Sequence, residues 1–371
     1  SQERMGIVIR EEDIEHIRQI ADRERAPFYV VGETTGDHRF VFEQTDGVKP
    51  IDLAMEDMFG KAPRTVMTDR TVEETYEDVT YDQTQLDEYV ERVLQLEAVA
   101  CKDWLTNKVD RSVTGKIARQ QCQGEIQLPL SDCGVVALDY RGRAGIATSI
   151  GHAPQAALVD PAAGSILSIA EALTNIVWAP LSEGLDSVSL SANWMWPCKN
   201  EGEDARLYRA VEACSDFACS LGINIPTGKD SLSMTQKYGK DKVYSPGTVI
   251  ISAGAEVSDI RKVVSPVLRT GIDSTVYYID FSFDKLKLGG SAFAQSLDKI
   301  GKEVPTVQDS EYFANAFNAV QELINKELIL AGHDISAGGM ITTMLEMNFA
   351  NTEGGLEVSL DCLLYTSDAA D

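Results

Sequence analysis

Apolar positions along the chain recur in two rhythms. At helical spacing, Leu86, Tyr89, Val90, Val93 and Leu94 share one face, as do Ile166, Ile169, Ala170, Leu173, Ile176 and Val177. Leu207, Ala210, Val211, Cys214, Phe217, Ala218 and Leu221 mark a third helix, ended by Gly222, and Phe313, Ala316, Phe317, Val320, Leu323 and Ile324 a fourth. Helices are also expected over 14–21 and 340–347, and the one beginning at Pro161 has proline where the first turn tolerates it. Alternating or short continuous apolar runs predict strands at 5–9, 27–31, 188–194, 249–255, 276–281 and 356–360. They also predict a hairpin, 133–138 with 144–150, across Tyr140-Arg141-Gly142-Arg143.

These elements divide the chain. Residues 1–61 read as the end of an α/β subdomain, and 62–100 as an acidic linker ending in an amphipathic helix. Residues 101–262 form a dense block of strands and helices, and 263–361 begin a second block. Helices interleaved with hairpin-like strands predict an α+β fold rather than a doubly wound parallel sheet. The final stretch, 362–371 (CLLYTSDAAD), breaks the pattern and resembles translated sequencing-adapter DNA. The natural chain is therefore expected to continue beyond Asp361, with partners for the apolar alternation at 356–360 further along.

Composition narrows the function classes. The 371 residues exceed one ordinary core, and 44% hydrophobic with 25% charged residues are globular values. No apolar run has membrane-spanning length, so no membrane partner is expected. The net charge of −25, without a Lys/Arg-rich run, argues against nucleic-acid binding. Seven scattered cysteines without a CxxC pair fit reduced thiols and a cytoplasmic setting.

A nucleotide stays compatible with this charge if a divalent metal screens its phosphates, and three stretches carry that chemistry. GHDISAGG (332–339) sets His333, Asp334 and Ser336 among small residues before a helix, where free N–H groups favour anions. An Asp there suits a phosphate only through a metal, although an ordinary helix-capping turn would look the same. In the helix from Pro161, Glu171 and Asn175 stand at i and i+4 on a side otherwise made of Gly164 and Ser168, within reach of one cation or of a packed neighbour. Asp132 sits at the start of the strand 133–138, as a ligand or as a plain turn residue. In PTGKDSLSM (226–234), Gly228, Lys229, Asp230 and Ser231 could grip a phosphate, although the GxxxxGK spacing is missing.

Seven stretches in order resemble the large single-chain form of phosphoribosylformylglycinamidine synthase: DRSVTGKIARQQCQG (110–124), LPLSDCGV (128–135), AEALTNI (170–176), LSANWM (190–195), GEDARLY (202–208), PTGKDSLSM and GHDISAGG. The resemblance runs from SQERM (1–5) to Asp361. It implies a synthetase core made of two related halves, each with a ferredoxin-like α+β subdomain and an α/β subdomain of the aminoimidazole ribonucleotide synthetase-like superfamily. This chain would supply the end of the first half and most of the second. The family's N-terminal portion, with its catalytic His, and its glutaminase domain would be missing partners, leaving no catalytic residue here.

By the same resemblance, Asp132, Glu171, Asn175 and Asp334 would be Mg2+ ligands. Ser131 and Ser336 would touch ATP or ADP, and Lys102 its phosphates. Gly228 to Ser231 would face the phosphate of a ribonucleotide substrate or the interface between halves. Ala337 departs from an Asp common in relatives. The implied reaction is ATP-dependent amidation of formylglycinamide ribonucleotide, through an iminophosphate that ammonia from glutamine displaces. In this family the pocket of the second half is regarded as an auxiliary Mg-ADP site. That leaves open a structural, non-turnover role, and a related synthetase or kinase of the superfamily is the further alternative.

Overall fold

The computed structural model describes residues 4–61, 63–106, 109 and 111–361. The chain divides into two units, Ser1–Val66 and Met67–Asp371. In the first, helix α1 (Ile14–Arg23) precedes an antiparallel ribbon of β1 (Arg39–Phe42) and β2 (Ile51–Ala54), and then the short helix α2 (Met55–Phe59). The strands expected at 5–9 and 27–31 do not form. Met5, Val8, Tyr29 and Val31 are all exposed, and among the described residues no strand runs beside them. An extended segment without a ladder partner leaves its backbone groups to water and buries nothing.

The second unit begins with α3 (Leu86–Leu94), which turns Tyr89 and Val93 inward and leaves Leu86 exposed, and the single turn α4 (Asp103–Thr106). Strand β3 (Ile117–Arg119) and a small ribbon, β4 (Cys122–Gln123) with β5 (Leu128–Pro129), lead into β6 (Gly134–Ala137) and β7 (Gly145–Gly151). Helices α5 (Pro154–Val159) and α6 (Pro161–Ile176) follow, then β8 (Ser189–Met195), α7 (Glu203–Ser220) and β9 (Asn224–Ser231). A hairpin of β10 (Thr235–Tyr238) and β11 (Asp241–Tyr244) precedes the long strand β12 (Thr248–Val257). The main sheet runs β3-β6-β7-β12-β8-β9, antiparallel throughout except for the parallel pair β8–β9. Helices packed on such a sheet make the expected α+β fold, and the predicted hairpin is β6–β7.

The core lies where period two meets period 3.6. Gly145, Ala147, Ser149 and Gly151 of β7, and Val249, Ile251, Ala253, Ala255 and Val257 of β12, face inward. Ile169, Leu173 and Ile176 of α6 pack on them with no exposed surface. The side of α6 carrying Gly164 and Ser168 is buried too. Gly164 lies against Ala157 of α5, and the neighbouring Ser165 donates to Ala210 O of α7 at 2.8 Å. That side is therefore helix contact, and only its last two turns, with Glu171 and Asn175, can serve a site.

Beyond β12 come α8 (Ala292–Ser296), α9 (Ser310–Asn325) and α10 (Gly339–Phe349). Phe313, Phe317, Val320 and Ile324 of α9 are buried as the periodicity predicted, with the Phe313 ring edge-on to Phe217 at 5.8 Å. Gln321 is buried among them. It accepts from Leu181 N and donates to Val177 O and Ala179 O, pinning α9 to the chain leaving α6. The strands expected at 276–281 and 356–360 are absent, as is any strand at 328–330. Val276, Tyr277, Tyr278 and Ile279 are all exposed, so the alternation there has no sheet to lie on. The adapter-like stretch lies outside the described residues.

The acidic linker is not loose. Asp69 reaches the start of α7 and accepts hydrogen bonds from Gly202 N, Asp204 N and Ala205 N at 3.1, 3.0 and 3.3 Å. These are N–H groups that a helix start leaves without internal partners, and Gly202 supplies no side chain to cap them. Further along, Tyr81 and Tyr89 meet the Phe293 ring edge-on at 5.6 and 5.2 Å.

Candidate functional site

Three separated segments bring carboxylates to one place. Asp132 precedes β6, and the turn holding it is fixed by Ser131, whose hydroxyl donates to Gln120 O at 2.7 Å. His333 and Asp334 lie in the loop before α10. Gly332 is needed there because a Cβ at that position would stand 2.0 Å from the Trp178 ring. Thr343 Oγ1, one turn into α10, donates to Asp334 O at 2.9 Å and ties the loop back. Glu171 and Asn175 come from α6. Its close approach to the end of β7 depends on Gly151, where a Cβ would meet Ser168 O at 2.2 Å and Ala172 N at 2.3 Å. Asn175 Nδ2 donates to Ile150 O at 3.1 Å, which aligns the helix end with that strand.

Asp132, His333 and Asp334 each offer a ligand atom, all within 4.8 Å of one another. His333 Nδ1 is 2.6 Å from Asp132 Oδ1 and 3.8 Å from Asp334 Oδ1, and Nε2 is 2.9 Å from Glu346 Oε2. The side chains of Asp132 and Asp334 are each 4% exposed, and Asp334 Oδ2 is buried without a hydrogen-bond partner. A buried, unpartnered carboxylate oxygen is costly unless it is protonated or meets a cation.

Burial pushes the Asp132 and Asp334 carboxyls up, and for Asp334 the charges of Asp132 and Glu171 push the same way. Burial and then Asp132 push Glu171 up to about 7, against hydrogen bonds from Ser336 and Asn175. Burial alone would lower His333, but its bonds to Asp132 and Glu346 outweigh this and raise it to about 10. Crowded negative charge in a buried setting thus favours either a proton or a bound cation on these carboxyls. Asp132 and Asp334 line a recess of about 190 Å³ together with Ser131, Asn175, Ser336 and Glu346. That is smaller than the ~300–1,000 Å³ of whole-ligand pockets, and it suits a cation with attached phosphates. Oxygen donors of this kind fit Mg2+.

The structure thus brings together Asp132, Glu171, Asn175, Asp334, Ser131 and Ser336. It does not bring Lys102 among them. The Lys102 ammonium donates instead to Glu97 O and to Ala100 O, the latter at 2.9 Å. Gly228, Lys229, Asp230 and Ser231 are not a loop but part of the edge strand β9, paired with Ala192, Asn193, Trp194 and Met195, and they are not among the residues lining the recess. The segment continues as a strand because Gly228 lets the backbones close: a Cβ there would stand 2.1 Å from Ala192 O. Sequence reasoning quoted His333 without giving it a part, and it missed Glu346. The available signal was a lone charged residue within the otherwise uncharged run 340–347.

Comparison with known proteins places these elements in context. The family model described as the FGAR-AT PurM_N-like domain matches residues 101–256, and that of the AIR synthase related protein C-terminal domain matches 275–366. Phosphoribosylformylglycinamidine synthase from Dictyostelium discoideum is 36% identical over 97% of this chain and 27% of its own length. The Homo sapiens enzyme of the same name is 37% identical over 95% of this chain and 28% of its own. The probable chloroplastic/mitochondrial enzyme of Arabidopsis thaliana is 38% identical over 95% and 26%. Among solved structures, T. maritima PurL complexed with ATP aligns with a TM-score of 0.48 at 16% identity, over 71% of this chain and 39% of that one. The chain spans about a quarter of the length of the curated relatives it matches. With this identity sustained along nearly its whole length, the chain belongs to the phosphoribosylformylglycinamidine synthase family.

Proposed function

We propose that this chain forms the magnesium- and adenine-nucleotide-binding part of an ATP- and glutamine-dependent amidoligase that converts formylglycinamide ribonucleotide to formylglycinamidine ribonucleotide in purine biosynthesis. The observation that carries this reading is the meeting of Asp132, Asn175 and Asp334, from three distant segments, around a recess with an unpartnered buried Asp334 oxygen, with Glu171 beside it on Ser336. Asp132, Glu171, Asn175 and Asp334 would hold Mg2+, with Ser131 and Ser336 on the nucleotide side. Magnesium there supplies charge neutralisation for the phosphates. The ribonucleotide substrate and the glutaminase that releases ammonia complete the proposal for the whole protein. Cytosolic residence fits the thiols, which among the described residues are all unpaired; no helix among those residues is long and apolar enough to cross a membrane.

One observation favours holding nucleotide over turning it over. Both nitrogens of His333 are engaged by carboxylates and the Lys102 ammonium by backbone carbonyls, so neither is turned to the recess to clamp a transferring phosphate. Titration of the chain with ADP by calorimetry, with and without Mg2+, tests the assignment. Binding that requires the metal, without steady ATP hydrolysis, is expected. Metal-independent binding or none would overturn the site, and steady turnover by this chain would overturn the holding role.

A further inference from the structure

His333 poses a separate question: why place a buried imidazole beside carboxylates meant for a cation? Its side chain is 7% exposed, and both ring nitrogens lie at hydrogen-bonding distance from carboxylate oxygens of different elements, Asp132 before β6 and Glu346 on α10. A carboxylate that ligates a cation is ionised and only accepts, so Nδ1, 2.6 Å from Asp132 Oδ1, donates to it, while Nε2 is turned to Glu346. A nitrogen that donates has no lone pair for a metal. His333 therefore stands among the candidate ligands without being one, and its bond occupies Asp132 Oδ1, leaving the second oxygen of that carboxylate for a cation.

The support behind it is built from α10. Thr343 and Glu346, three residues apart on one helix face, engage successive residues of the loop: Thr343 the backbone oxygen of Asp334, and Glu346 the ring of His333. One helix thereby fixes both the carboxylate of its own loop and, through the imidazole, a carboxylate of a segment 201 residues away. Glu346 is the partly open end of this chain of bonds, at 30% side-chain exposure.

We infer that Glu346 and His333 form a positioning relay that aims Asp132 at the bound cation. The inference rests on the proposed metal and nucleotide site. Relays of this kind behind metal ligands are typically worth about 10–100-fold in metal affinity.

The test uses Mn2+ as the probe, with ADP, its free concentration followed by electron paramagnetic resonance on the full chain. His333→Asn places an amide N–H near the Nδ1 position and keeps a donor for Asp132, whereas His333→Gln places it near Nε2 and does not. Both variants remove the same charge; Asn keeps the bond to Asp132 and Gln the bond to Glu346, so their difference reads which of the two matters to the cation. His333→Asn is expected to bind Mn2+ at least about 10-fold more tightly than His333→Gln. Glu346→Gln, whose amide oxygen still accepts from the ring, is expected to retain affinity, and Glu346→Ala to lose about 10-fold. If the histidine variants do not fold, the Glu346 pair decides alone, since that side chain is the more exposed. Equal affinities within each pair overturn the relay and leave the metal site standing. Absence of Mn2+ binding by the unaltered chain overturns the proposed site, and the relay with it.

Discussion

Replacing Asp334 by asparagine separates what this residue costs the fold from what it gives the site. Asp334 and Asp132 offer ligand atoms within 4.8 Å of each other. At that distance two carboxylates repel by about 3.5 kcal/mol for an effective dielectric of 20. The imidazolium 3.8 Å from Asp334 offsets roughly one such repulsion, and Glu171 adds another. Ionising Asp334 without metal therefore costs on the order of 3 kcal/mol, in line with its raised carboxyl.

Asp334 and Glu171 both have folded-state values above their unfolded ones. Their protons stabilise the fold fully at pH below the unfolded values, and this contribution is lost as pH rises through the folded ones, for Glu171 between 4.5 and about 7. Asp334→Asn stays neutral throughout. The variant should match the parent near pH 4.5 and exceed it near pH 8, by about 1–3 kcal/mol. His333, whose own contribution falls between pH 6.5 and about 10, is present in both chains and largely cancels in the difference.

Magnesium reverses the order. A metal–nucleotide complex at one hundred times its dissociation constant stabilises the parent by about 2.7 kcal/mol. At roughly 2–4 °C per kcal/mol for a unit of this size, that is an upward shift of about 5–10 °C, which Asp334→Asn should lack. Thermal unfolding of both chains at the two pH values, with and without Mg-ADP, reads all of these quantities. A variant less stable than the parent at pH 8 without metal, or one that Mg-ADP stabilises as much as the parent, would refute the reasoning.

Two further substitutions probe the scaffold behind the site. Gln321→Ala strands Leu181 N, Val177 O and Ala179 O in the core and should cost about 3–5 kcal/mol, seen as a lower melting temperature that Gln321→Glu, lacking the amide donors, fails to restore. An unchanged melting temperature would mean water replaces the amide. Gly151→Ala drives a methyl against Ser168 O and Ala172 N and should weaken Mn-ADP binding about 10-fold by displacing Glu171, at about 1–3 kcal/mol of stability; calorimetry showing native affinity would place the strain elsewhere.

The helices were legible wherever one face alone is buried, as in the apolar stripe of α9. In α6 the reading went only halfway. Its small-residue side looked like a ligand face because it lacks long charged residues, yet Gly164 lies against Ala157 of α5 and Ser168 against Gly151 at the end of β7, which leaves no room for them. Alternation at 276–281 and 356–360 predicted strands that do not form, since alternation states a preference for a sheet and cannot supply the neighbour. Asp132, Glu171, Asn175 and Asp334 were legible as a set because each is a carboxylate or amide at an element end or on an element side with no ordinary solvent-facing company. His333 and Glu346 were not, because their meaning lies in a bond across 13 residues and a second across 201, and no periodicity records either.

The grip of Asp69 on the first turn of α7 bears on how the protein can be cut. The matched domain begins at residue 101, 32 residues after Asp69. An excised piece starting there would carry α7 with three amide hydrogens at its tip facing water and no replacement for the lost carboxylate. The unit that inheritance marks out is thus shorter than the unit that satisfies its own backbone. A protease nick between 70 and 100 would leave the two ends held together through Asp69 rather than through the covalent chain, and trimming back to residue 101 would then fray a helix more than one hundred residues away.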